Sequence, residues 1–144
     1  PLLPNAAFAA LQAASPIPIL VDMPCISVAD ATRFLSHGAN SLSVKPGRVG
    51  ITEASRITAL AEAAGAAVCA GMYAEGALGT LISLQFAAGL KHPLMPAEQS
   101  FFLLMREQIL HQPLHVRDGH IELPDGTNWD ALVDWDRVRR FAIA

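Results

Sequence analysis

Asp22, Lys45 and Glu75 each stand at, or a few residues past, the C-terminal end of a short apolar run: residues 17–21, 42–44 and 66–70. Helical patterns follow each run. In a parallel β/α sheet or barrel the C-terminal strand ends open onto one face, and active sites are built there. Two acids and a base on a common rim are suited to proton transfer. The lysine at a buried strand end is the candidate general acid/base. The two acids on the same rim make a chemical constellation rather than a packing pattern.

The elements that must carry these residues follow from the spacing. Residues 6–14 read as a short helix stopped by Ser15-Pro16, and residues 17–21 as a buried strand entered through prolines. Ser27 and Asp30 have the Ser-x-x-acid form of a capping box, and Val28, Ala31, Phe34 and Leu35 continue at helical spacing up to His37-Gly38. Residues 41–44 form the next strand, and residues 46–50 a loop. Thr52 is expected to cap a helix with the stripe Ala54, Ile57, Leu60, Ala61 and Ala64, and Gly65 to stop it. Residues 66–70 form a third strand, and residues 77–88 a helix ended by Gly89. Residues 93–96 give a short fourth strand with Glu98 at its end, residues 116–121 a hairpin turning at Asp118-Gly119, and residues 134–143 a final helix. The alternation predicts an α/β fold with a parallel sheet and right-handed crossovers.

Four such strands pose a physical problem, because a parallel sheet needs both faces covered and its outer strands leave backbone groups unpaired. Composition points the same way. The 144 residues are 52% hydrophobic but only 16% charged, against a usual ~25%. Part of the apolar surface is therefore expected to be covered by another half of a barrel or another chain. A net charge of −3 with no basic stripe speaks against nucleic acid. No run reaches the ~18 apolar residues of a membrane span, and residues 1–4 lack the marks of a signal peptide. Cys25 and Cys69 have no metal-ligand spacing. Cys69 reads as strand core and Cys25 as a loop thiol, which fits a reducing cytoplasm.

Four segments together resemble the C-terminal barrel of the enolase superfamily, in particular the muconate and chloromuconate cycloisomerases. They are PIPILVDMP, SLSVKPGRVGITEASRITALAEAAG, GMYAEGALGT and PLHVRDGHIELPDG. The resemblance spans nearly the whole chain. It implies the C-terminal half of a TIM-type (β/α) barrel, strands five to eight, with return strands and a final helix. It further implies Asp22 as a ligand of Mg2+ or Mn2+, Lys45 as acid/base, and Glu75 as an acid that positions the substrate and its proton. The implied reaction is proton transfer α to a carboxylate, opening or closing a lactone on a small dicarboxylate without a redox cofactor. A dipeptide epimerase, an N-acylamino-acid racemase, an o-succinylbenzoate synthase, or a non-catalytic half-barrel scaffold are the alternatives.

The chain departs from the family pattern in places. Met23 follows Asp22, Pro46 follows Lys45, and the C-terminal turn reads Gly126-Thr127-Asn128-Trp129. Relative to the family, the 144 residues start after the fourth strand, so the capping domain and the other two metal carboxylates have no counterpart. Metal binding is therefore expected to be weak or absent in the chain alone, and activity to need a partner half or self-association into a homo-oligomer. Glu98 and Arg48 are secondary rim candidates. The five histidines show no ligand spacing.

Overall fold

The computed structural model describes residues 3–126 and 128–143. Pro1 and Leu2, and Thr127 of the C-terminal turn, lie outside the described residues. The chain runs through helix α1 (Ala6–Ala14), strand β1 (Leu20–Val21), α2 (Val28–Ser36), β2 (Ser41–Val44), α3 (Pro46–Val49), α4 (Ile51–Ala63), β3 (Ala67–Ala70) and α5 (Ala77–Ala88). Two short 3₁₀ turns, Phe101–Leu104 and Asp130–Leu132, precede the last helix, α6 (Trp135–Phe141).

The sheet is parallel, in the order β1-β2-β3, with Leu20 opposite Ser41 and Ser43 opposite Cys69. Each strand lies beside the one before it, the winding sense of a barrel rather than of a doubly wound sheet. Alternation along the strands sets two faces. Val21, Leu42, Val44 and Val68 pack outward into a core with Phe8, Phe34, Ile57 and Ala61 of the helices. Leu20, Asp22, Ser43, Lys45, Cys69 and Gly71 have the opposite parity and belong to the inner face.

The helices begin where local chemistry directs. Asn5 accepts from the amides of Ala7 and Phe8 and starts α1. Ser27 Oγ accepts from the Asp30 amide at 3.1 Å, and the Asp30 carboxylate reaches back to the Ile26 amide, one residue earlier than a capping box requires. Gly65, at φ +71, ends α4 with the left-handed turn that glycine permits. The cap of α4 is Gly50, not Thr52. Residues 46–49 are a single helical turn rather than a loop, because Pro46 occupies its first position, where an N–H is not needed.

The strand expectations need two corrections. The first strand is only Leu20–Val21, since Pro16 and Pro18 have no N–H to give a ladder. The fourth is a single parallel bridge between Pro93 and Val68. The segment does follow β3: the Leu94 amide donates to Val68 O at 2.9 Å and the Glu98 amide to Ala70 O at 3.1 Å. Pro93 and Pro96 interrupt any longer pairing. The return strands are likewise isolated bridges, Leu110 with Val133 and Arg117 with His120. The second bridge flanks Asp118 and Gly119, both at positive φ, as in a two-residue hairpin turn.

A second apolar cluster, built on Ala77, Leu81, Phe102 and Leu110, joins α5 to this C-terminal segment. No helix among the described residues is long and apolar enough to cross a membrane.

Candidate active site

Asp22 follows β1 directly and Lys45 follows β2 directly, so neighbouring parallel strands deliver them side by side. Lys45 Nζ lies 2.7 Å from Asp22 Oδ1. The lysine side chain is 11% exposed and the aspartate 40%. Asp22 Oδ1 is itself shielded and has no well-aligned hydrogen bond, so the pair is held by charge more than by direction. Gly71, past the end of β3, makes room for it. A Cβ there would lie 2.8 Å from Lys45 Cε and would also overlap Ser43 Oγ. Gln99 braces the same strand end, its Nε2 donating to Gly71 O at 3.0 Å.

Glu75 sits in the loop between β3 and α5 and is only 9% exposed. Its Oε2 accepts from the Tyr73 amide at 2.6 Å and its Oε1 from the Ser83 hydroxyl at 3.3 Å. Ala74, at φ +55, turns the chain between Tyr73 and Glu75. Such strained backbone concentrates at functional sites. Two glycines form the slot. A Cβ on Gly79 would lie 2.8 Å from Glu75 Cβ, and one on Gly47 would overlap Glu75 Oε1. Gly47 is two residues beyond Lys45, so Glu75 borders the loop that carries the lysine.

Other residues tie the rim together. Arg48 Nη1 donates to Met23 O at 3.0 Å and its guanidinium stands 5.9 Å from the Tyr73 ring centre, linking the loops after all three strands. Glu98 is exposed beside the end of β3. Burial pushes the Cys69 thiol up to about 11, with the Glu98 and Asp22 carboxylates adding and Lys45 opposing. Burial likewise raises Cys25 to about 11, with Asp30 adding and Arg48 opposing. Both cysteines are free and buried, the loop thiol included. Neither is poised as a nucleophile. The histidines are spread over local contacts: His37 with Arg33 O, His111 with Asp134 and His120 with Asp118 O.

The residues present cannot by themselves hold a divalent cation. Asp22 stands against a lysine ammonium, and among the described residues no three His, Cys, Asp or Glu side chains gather in a way that could hold a metal. A groove of 540 Å³ lies elsewhere, on the outer surface of α4 and α5 between Ile51, Thr58, Ile82, Phe86 and Trp129. Its polar lining residues, Ser55, Thr58, Glu62, Gln85 and Lys91, come from α4, α5 and the turn after α5 and not from a strand end, so the rim, where strand ends bring opposite charges together, is the better candidate.

Sequence spacing identified the strand ends but not what supports them. Nothing in the sequence singled out Ser83, Gln99, Gly47 or Gly71. Only Gly79, within the Gly-x-x-Gly stretch, left a trace.

A family model described as "Enolase C-terminal domain-like" matches residues 1–127. The chain is 34% identical to muconate cycloisomerase 1 of Pseudomonas putida over 134 residues, 92% of this chain and 36% of that protein. It is 30% identical to a chloromuconate cycloisomerase of Cupriavidus pinatubonensis over 128 residues, 88% of this chain and 34% of that one. The solved muconate lactonizing enzyme from Pseudomonas putida superimposes with a TM-score of 0.85 at 30% identity, over 94% of this chain and 38% of its own. Muconate cycloisomerase from Pseudomonas fluorescens gives 0.85 at 31%, with the same coverage. The chain thus spans little more than a third of the length of these relatives.

Proposed function

The chain belongs to the enolase C-terminal domain-like family, and from that premise we propose that it is the second half of a cycloisomerase-type barrel acting on a small dicarboxylate. Residues 1–144 would supply barrel strands five to eight and the C-terminal segment. The facing half and the capping domain would be supplied by polypeptide outside these 144 residues, or their place would be taken by a second copy in a homo-oligomer. Exposed apolar side chains such as Ile17, Met23, Leu103 and Leu104 are surface for such a partner to cover.

The observation that carries the reading is Lys45 Nζ, nearly buried yet held at the C-terminal mouth by Asp22. Lys45 is the acid/base. As one substrate carboxylate oxygen closes onto the carbon–carbon double bond, the electron pair moves to the carbon α to the other carboxylate. Lys45 gives its proton to that carbon, and in the reverse direction removes it. Asp22 holds the ammonium on the rim before its proton is given up. Glu75 stands on the substrate side as the second acid, and Arg48 faces a substrate carboxylate. A divalent metal, as family members use, would supply positive charge for the negative charge that develops on the carboxylate. Asp22 would be one of several ligands, the rest lying outside this chain.

The test is a chimera in which this chain replaces the matching segment of the Pseudomonas putida muconate cycloisomerase, followed by the loss of muconate absorbance. Lys45→Ala is expected to lower kcat by about 10³-fold, and the chain alone to show no turnover. A Lys45→Ala chimera as fast as its parent would sink the proposal. Exchange of an α-hydrogen with D2O on N-acylamino acids or dipeptides, without lactone formation, would redirect it to the racemases and epimerases.

A further inference from the structure

Glu75 is a nearly buried carboxylate whose two oxygens have unlike partners. An amide N–H, which can only donate, holds Oε2. A hydroxyl, which can donate or accept, holds Oε1. That hydroxyl belongs to Ser83, fully buried within α5. Ser83 lies four residues after Gly79, and residues so spaced share one helix face. One face of α5 therefore provides both the gap for the Glu75 stem and the partner for its tip. Gly47, on the Lys45 side, packs against Oε1 so closely that any side chain there would collide with it.

We infer that Ser83 is a positioning residue that makes Oε1 the oxygen of Glu75 that carries a proton. While Glu75 is ionised, the Ser83 O–H donates to Oε1. When Oε1 takes the proton of a substrate carboxyl group, leaving that group as the carboxylate, the new O–H of Glu75 donates to Ser83 Oγ. The serine hydrogen then turns to the carbonyl of Gly79 one turn back, a bond that serines in helices make. Returning the proton reverses both rotations. Glu75 keeps a partner in each state and need not leave its slot. Oε2 is the less favourable place for the proton, because a carboxyl hydroxyl accepts from the Tyr73 N–H more weakly than the ionised oxygen does.

The proton-carrying role rests on the reading of Glu75 as a substrate-side acid; the hydrogen bond can be tested apart from it. With 13C at the glutamate side-chain carboxyls, the Glu75 resonance is expected to shift between H2O and D2O by more than that of exposed Glu122, because the Ser83 hydroxyl deuterates. Ser83→Ala lowers the excess to what the Tyr73 amide alone contributes and Ser83→Thr restores it, while Ser55→Ala on the exposed face of α4 leaves it unchanged; an excess unchanged in Ser83→Ala overturns the inference. No excess shift in the wild-type chain overturns the inference, even if neither Ser83 variant folds. In the chimera, Ser83→Ala is expected to lower kcat about tenfold with little change in KM, and Ser83→Thr to recover it. An unchanged kcat in Ser83→Ala also overturns the inference. Undiminished turnover in Glu75→Gln would instead remove the substrate-side role of Glu75, leaving the carbon shifts to decide whether Ser83 holds Oε1.

Discussion

The chain divides at Gly89 into two regions built on different principles. Before it, strand and helix alternate, each strand is laddered to the last, and every rim residue is delivered by a strand end or the loop behind it. After it, the chain makes single bridges, two 3₁₀ turns and one short helix, and packs on the first region through α5. The first region has a continuous core with Phe8 and Phe34 edge to face, ring centres 5.3 Å apart. The second buries Phe102 and Leu110 in a smaller cluster with mostly half-buried neighbours. The difference separates what builds the site from what braces it. Regular parallel pairing aims Asp22 and Lys45; irregular backbone, through Gln99, props the strand end beneath them.

The largest effect that would test this division is on stability. Phe34→Ala should cost about 3–5 kcal/mol, because a fully buried ring in a continuous core leaves a cavity that cannot close. Phe102→Ala, at the end of a 3₁₀ turn whose neighbours can settle inward, should cost roughly half as much. Denaturant unfolding midpoints would measure both. Equal losses would mean that the two regions form one core, and the comparison would fail.

A smaller effect is expected where the regions meet the site. Gly71→Ala puts a methyl group against Lys45 Cε and Ser43 Oγ. The lysine can give way, so the cost should be about 1–2 kcal/mol, at the low end of overpacking. Gly89→Ala, whose new Cβ would approach no atom closer than 3.4 Å, is the control. Lysine side-chain nitrogen NMR should show the Lys45–Asp22 contact disturbed in the first variant and intact in the second. An undisturbed Lys45 signal in Gly71→Ala would show that the glycine is not what makes room for the pair.

The same division governs what could be read from the sequence. Helix 77–88 and the glycine stop at position 65 were legible because local signals, apolar spacing and backbone freedom, decide them. The strand ends at residues 21 and 44 were legible for the same reason. The contact between Lys45 and Asp22 was not, since it depends on the register that sets Val21 beside Leu42. The prolines at 16, 18, 93 and 96 were visible, yet their cost to the ladders was underestimated: a strand is defined by pairing, and these residues lack the donor. Pro46, read as part of a loop, instead opens a helical turn. Ser83 could not be found at all, because a serine in an apolar helix gives no sign of which neighbour it will hold.

The smallest effect concerns helix starts in the two regions. α1 is capped by Asn5, with no acidic residue in its first turn. α6 is capped by Asp134, which accepts from the amides of Asp136 and Arg137 and pairs with the Arg137 guanidinium at 3.1 Å. The Arg137 amide, then the guanidinium and His111, hold this carboxyl below its ordinary value of 3.8 against an opposing burial effect. A group depressed in the folded state contributes its stability in full above the ordinary value, and loses it as pH falls through the folded one. Acid should therefore release α6 as pH drops below 3.8, while the neutral Asn5 cap keeps α1 in place. Amide exchange at Val138, which bonds to Asp134 O, should quicken in that window relative to Ala9, which bonds to Asn5 O. If both amides quicken together, the two helices share one cooperative unit, and the braced region is no looser than the region it braces.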